Sequence, residues 1–170
     1  MTALVTFHPR WYDVAKSYIG VQEVVGAGSD PRILRWVKRM GGWIASWYTN
    51  DDTPWCAVFM NQCFFEAGIQ APYSLAARSY ETWGVALEEP TLGAVVVFKR
   101  AGGGHVGLYV GERADGTLRV LGGNQSNKVS ETWIGKDRLV AIRWPSMEPI
   151  SHTGRVRLSG DGLPVSTNEA

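Results

Sequence analysis

The sequence predicts an α+β fold: N-terminal helices packed on a C-terminal antiparallel β-sheet. Three observations carry this. The first half repeats apolar residues at helical spacing between helix start and stop signals. The second half holds short β-branched runs and a hairpin turn signal. Every aromatic residue lies before position 146, which places one domain at 1–145 and a flexible C-terminal tail at 146–170. At 170 residues the chain is long enough for one domain with a core of its own.

The elements follow in order. Residues 9–19 set Trp11, Tyr12, Ala15, Tyr18 and Ile19 on one face, and Gly20 ends the helix. Asp30 caps a second helix with Pro31 at its first position. Ile33, Leu34 and Val37 form its apolar stripe, Arg32, Arg35, Lys38 and Arg39 its solvated face, and Gly41-Gly42 its stop. A third helix over 55–67 is capped by Thr53 or Asp52, with Pro54 just inside its start and Gly68 past its end. A short fourth helix covers 76–83. Strands are expected at 93–99, 105–112, 117–121, 129–134 and 139–144, with Asp115-Gly116 as a hairpin turn.

Composition excludes several function classes. The net charge of +1 argues against a nucleic-acid binder recognisable from bulk charge. No apolar run approaches the ~20 residues of a membrane-spanning helix. The segment M-T-A-L-V-T-F-H-P-R-W-Y lacks the basic and apolar regions of a secretory signal, so synthesis without a leader is expected. No spacing of His, Cys, Asp and Glu suits a metal, and no cofactor motif is present, so neither metal nor cofactor is expected. The chain is expected to be a monomer. Two cysteines, Cys56 and Cys63, stand seven residues apart on the third helix, roughly 10 Å along its axis, too far to bridge.

The third helix carries the chemistry. Asn61, Gln62 and Glu66 form one narrow polar arc, and both cysteines lie opposite it, towards the interior. With a cap at Thr53, Cys56 is the third helical residue, where unpaired N–H groups and the helix dipole favour a thiolate. Cys63 sits in mid-helix. A thiolate nucleophile needs a base. Of the 3 histidines, His8 precedes a proline, His152 is in the tail, and His105 opens a strand. A two-residue turn at Asp115-Gly116 sets Asn124 opposite Gly107; a turn slipped towards Ala114 sets it opposite His105. Asn124 is therefore the expected orienter of the imidazole. Gln125 is the fallback, since alternation points it to the other face.

D-D-T-P-W-C-A-V-F (51–59), G-H-V-G (104–107) and L-G-G-N-Q (121–125) together resemble the CHAP family of cysteine, histidine-dependent amidohydrolases/peptidases, most of all its small phage-endolysin-like members. Y-I-G-V-Q-E (18–23) and A-R-S-Y-E-T-W-G (77–84) are similar too, so the likeness covers about residues 10–145. It implies a papain-like fold and cleavage of an amide bond in bacterial peptidoglycan, either N-acetylmuramoyl–L-alanine or a peptide bond of the stem or cross-bridge. It gives Cys56 the nucleophile position, His105 the base and Asn124 the orienting position, where many members carry an acid instead. It implies a lysin made in a host cytoplasm and acting on the wall after release. A related NlpC-type amidase or transglutaminase, an injected effector, and a non-catalytic wall-binding module are the alternatives.

Asp51 and Asp52, adjacent rather than alternating, are read as helix caps rather than calcium ligands. Arg78, Trp47 and Trp55 are the substrate-binding candidates. With Trp43 and Tyr48, the two tryptophans crowd the approach to Cys56, as core or as groove.

Overall fold

The computed structural model describes residues 7–169. Residues 1–6, half of the segment that carries the leader expectation, and Ala170 lie outside the described residues.

Helix α1 (Arg10–Ser17) buries Trp11, Tyr12 and Ala15 of the expected face, but it ends before Tyr18 and Ile19, and Ile19 is exposed. Helix α2 (Pro31–Met40) starts where Asp30 Oδ1 accepts the Arg32 N–H at 2.8 Å. Gly41 ends it at φ +73°, but the chain does not stop being helical there. Gly41 also starts α3 (Gly42–Trp47), a six-residue helix absent from the sequence reading. The glycine pair turns the chain between two helices, a role that looks like termination in sequence. The expected solvated face of α2 is incomplete as well. Arg39 turns inward, with Nε 2.6 Å from Gln62 Oε1 and Nη2 donating to Asn61 Oδ1. Asn61 and Gln62 of the polar arc of α4 (Cys56–Glu66) are thus covered by α2 while Glu66 stays exposed, and every residue from Cys56 to Phe64 is buried.

A 3-10 helix (Ala77–Thr82) replaces the fourth α-helix. Strands β1 (Val85–Ala86), β2 (Val95–Arg100), β3 (Gly103–Glu112), β4 (Leu118–Gly122), β5 (Ser130–Ile134) and β6 (Leu139–Trp144) form one antiparallel sheet in the order β1-β6-β2-β3-β4-β5. Helix α4 packs on β3 and β4 and α1 packs beside it, so the core lies between helices and sheet. This is the α+β class the sequence predicts, consistent with a papain-like fold.

The tail departs from expectation. Leu158 N and Val156 O pair with Glu112 at 2.8 Å each. Arg155 Nη1 lies 3.0 Å from both carboxylate oxygens of Glu112, and Arg113 Nη1 donates to the Gly160 and Leu163 carbonyls. Ser166 bridges to β5 beside Ile134. Composition predicts little apolar burial here, and that holds for most of the segment. The docking is polar and backbone-mediated, which aromatic content does not report.

Candidate active site

Helix α4 begins at Cys56, with Trp55 as its N-cap and no side-chain cap hydrogen bond. Cys56 is therefore the first helical residue, not the third. The caps expected from Thr53, Asp51 and Asp52 do not form. The Asp51 side chain is committed elsewhere: its Oδ2 accepts the Asp30 N–H at 2.6 Å and the Val24 N–H at 3.0 Å, pinning the 24–30 loop. The Thr53 carbonyl accepts the Tyr48 hydroxyl at 2.7 Å. An uncapped start leaves the first N–H groups of α4 free to face the thiol and anything bound to it.

Around the Cys56 sulfur stand the backbone N–H groups of Val106, Ala57 and Cys56 itself and the positive charge of Arg100. Each favours the thiolate. Burial outweighs them and raises the thiol above its ordinary value, contrary to the lowering that helix position alone suggests. Cys63 is pushed well above its ordinary value by burial and by Glu66. Both thiols are free. Only Cys56 lies against β3, next to the backbone of the residue that follows His105.

His105 sits on β3 opposite Phe98 of β2, its ring stacked on that phenyl at 6.5 Å. Its Nε2 lies 2.9 Å from Gln125 Oε1. The Gln125 amide is fixed by its other end, because Nε2 of Gln125 donates to the Val120 carbonyl at 3.2 Å and the Ser130 carbonyl at 2.6 Å. Two carbonyl partners require an NH2 there, so the oxygen faces the ring. An oxygen acceptor requires Nε2 to carry the proton. Neutral His105 then keeps a bare Nδ1, the atom that can accept a thiol proton.

Asn124 is not the partner of His105. The hairpin register agrees with the slipped turn, Leu108 facing Leu121 and Tyr109 facing Val120, with a bulge at Val110. Continued, that ladder would set Asn124 opposite His105. Strand β4 ends at Gly122, however, and Asn124 adopts φ +56°. Alternation stops with the strand, so the residue that alternation rejects, Gln125, swings under the ring. The Asn124 Oδ1 is buried with no hydrogen-bond partner, and nothing in the fold explains it.

The two glycines of L-G-G-N-Q make this possible. A Cβ on Gly122 would stand 2.6 Å from Gln125 Oε1 and 3.2 Å from His105 Nε2. One on Gly123 would stand 2.6 Å from the Phe59 Cβ and 2.9 Å from the Trp55 ring. Glycine lets the loop close onto both the histidine and α4.

His105 is 2 % exposed, and burial lowers its pKa to about 4. Gln125 and the carboxylate of Glu169 work against that shift; Arg100 and Arg138 add to it. At neutral pH the pair is a thiol and a neutral imidazole.

Of the substrate-binding candidates, Trp55 is fully buried, its Nε1 donating to Glu23 Oε2 at 3.0 Å. It is core, its ring against Trp36 and its N–H bonded to the 20–23 segment. Trp47 is 60 % exposed at the end of α3. Arg78 is exposed, paired with Glu81, and its side chain packs over Gly104, next to His105. Neither His8, bonded to Asp13, nor His152 reaches the site. Among the described residues no group of three His, Cys, Asp or Glu side chains is placed to hold a metal ion.

Residues 47–124 match the family model of the CHAP domain. This segment is similar to the CHAP domain family. The match includes Cys56 and His105 and ends at Asn124, one residue before the glutamine that holds the imidazole. CHAP domains are generally cysteine, histidine-dependent amidohydrolases of peptidoglycan. No curated protein matches the chain. Among the described residues no helix is long and apolar enough to cross a membrane.

Proposed function

We propose that the chain hydrolyses an amide bond of bacterial peptidoglycan with Cys56 as nucleophile and His105 as acid and base, oriented by Gln125. The observation that carries this is the 2.9 Å His105–Gln125 bond, which leaves Nδ1 bare on a ring beside the cysteine helix. The Cys56 proton passes to His105 Nδ1 as sulfur attacks the amide carbonyl carbon. The developing oxyanion is met by N–H groups at the open start of α4. The C–N bond breaks as the imidazolium returns the proton to the leaving amine. Water then gives a proton to Nδ1 and attacks the thioester. The acid is released, and the proton returns to sulfur.

Because thiol and imidazole both rest neutral, the ion pair forms only as the reaction proceeds. Arg78, packed over Gly104 next to His105, fits a contact to the carboxylates of such a polymer, and the exposed Trp47 ring suits its sugars. A phage lysin reaching the wall from the cytoplasm of its host is the biological setting that the motif resemblance favours.

The deciding experiment is digestion of purified cell wall followed by mass spectrometry of the fragments. New amino termini in the stem or cross-bridge identify an endopeptidase; free lactyl groups with intact stems identify the muramoyl amidase. Wall left uncut by the native protein, under conditions where iodoacetamide labels Cys56, would overturn the reading.

A further inference from the structure

The loop 123–127 that carries Gln125 is unfavourable by itself. Asn124, Ser126 and Asn127 have φ of +56°, +53° and +63°, and none is glycine. It is held from two sides. On one, the Glu23 N–H donates to the Asn127 carbonyl at 2.9 Å. On the other, the Ser126 N–H donates to the Glu169 carbonyl at 3.2 Å. Residues 166–169 form a strap across this end of the sheet. Ser166 N bonds the Trp133 carbonyl at 2.8 Å, and Arg100 Nη1 bonds Asn168 Oδ1 at 3.1 Å. Arg138 binds both carboxylate oxygens of Glu169, at 2.5 and 2.6 Å. The Glu169 side chain is fully buried.

We propose that this strap belongs to the catalytic apparatus, with Glu169 as a positioning residue that clamps the Gln125 loop and places a carboxylate beside His105. The inference rests on the assignment of His105 as the base. The groups that bear on the imidazole are Gln125 from the loop, Arg100 from β2, Arg138 from the 3-10 segment Lys136–Arg138, and Glu169 from the strap, with the Cys56 sulfur against the backbone N–H of the next residue, Val106. Gln125 is neutral and supplies orientation. Two guanidiniums oppose a positive ring, and hydrolysis makes the ring positive twice per cycle. The Glu169 carboxylate favours the positive ring, a charge that a glutamine in the orienting position does not provide.

The test is NMR titration of the His105 ring in the full chain, comparing Arg138→Gln with Arg138→Gln/Glu169→Gln. The first variant leaves Glu169 unopposed beside the imidazole and moves its midpoint up into an accessible range. Removing Glu169 from that background should bring the midpoint down by about one pH unit. Equal midpoints overturn the proposal. In the native background Glu169→Gln should lower kcat on cell wall about tenfold or more at unchanged KM; unchanged kcat likewise overturns it. The titration needs no substrate, so a midpoint shift in a protein that cuts no wall would sink the peptidoglycan reading and leave this one standing.

Discussion

Gln125 has three hydrogen-bond partners in fixed roles, and Asn124, its neighbour, has a buried oxygen with none. The two residues should therefore separate in mutagenesis. Gln125→Ala frees the imidazole to rotate and change tautomer, and should lower kcat about 100-fold. Asn124→Ala should change kcat only a few-fold, because the hydrogen bond that orients the ring comes from Gln125 and the Asn124 Oδ1 has no partner. Steady-state wall lysis by the two purified variants measures this; equal losses would return Asn124 to the orienting role. His105 also makes a stability prediction. Its folded pKa of about 4 lies below the ~6.5 of an unfolded histidine. Between these values the unfolded chain binds a proton that the folded chain does not. The contribution is therefore fully present above pH ~6.5 and lost as pH falls to about 4, by roughly 3 kcal/mol in all. Urea midpoints at pH 7 and pH 4.5 should differ accordingly, and the difference should shrink in His105→Leu.

At the scale of elements, α4 and the loop after β4 are fitted to each other through a missing side chain. Gly123→Ala forces a methyl onto Phe59 and Trp55, neither of which can withdraw from the core. Overpacking of this kind costs about 1–3 kcal/mol, and a chemical denaturation curve should show it with little change in slope. The tail gives the opposite lesson to its composition. A chain ending at Pro145 is expected from sequence to keep its stability. Its removal would leave Glu112, Arg113 and Arg138 without their tail partners, the first two buried. We expect the truncated protein to melt about 5 °C or more below the full chain by circular dichroism. An unchanged Tm would show that these polar contacts contribute nothing net.

Across the whole molecule, helices and sheet bring a cysteine from the first half and a histidine from the second to one buried place. In the proposed mechanism the thiol supplies the nucleophile and the imidazole moves the proton, and no step needs an added Lewis acid. Lysis should accordingly be unaffected by dialysis against a chelator, and loss of activity restored by calcium would bring Asp51 and Asp52 back as ligands. The α+β class and the central cysteine helix were legible because each follows from local periodicity; Cys56 and His105 were chosen because few residues are able to do the proposed chemistry. The hairpin register was legible as one of two turns. Four things were decided only in three dimensions. These are the late start of α4, the exchange of Asn124 for Gln125, the burial that keeps Cys56 and His105 neutral, and the arrival of Glu169 beside the histidine. Periodicity and spacing are properties of neighbours along the chain. Where a strand stops, how dry a site becomes, and which distant carboxylate meets a buried arginine depend on contacts between segments that share no local signal.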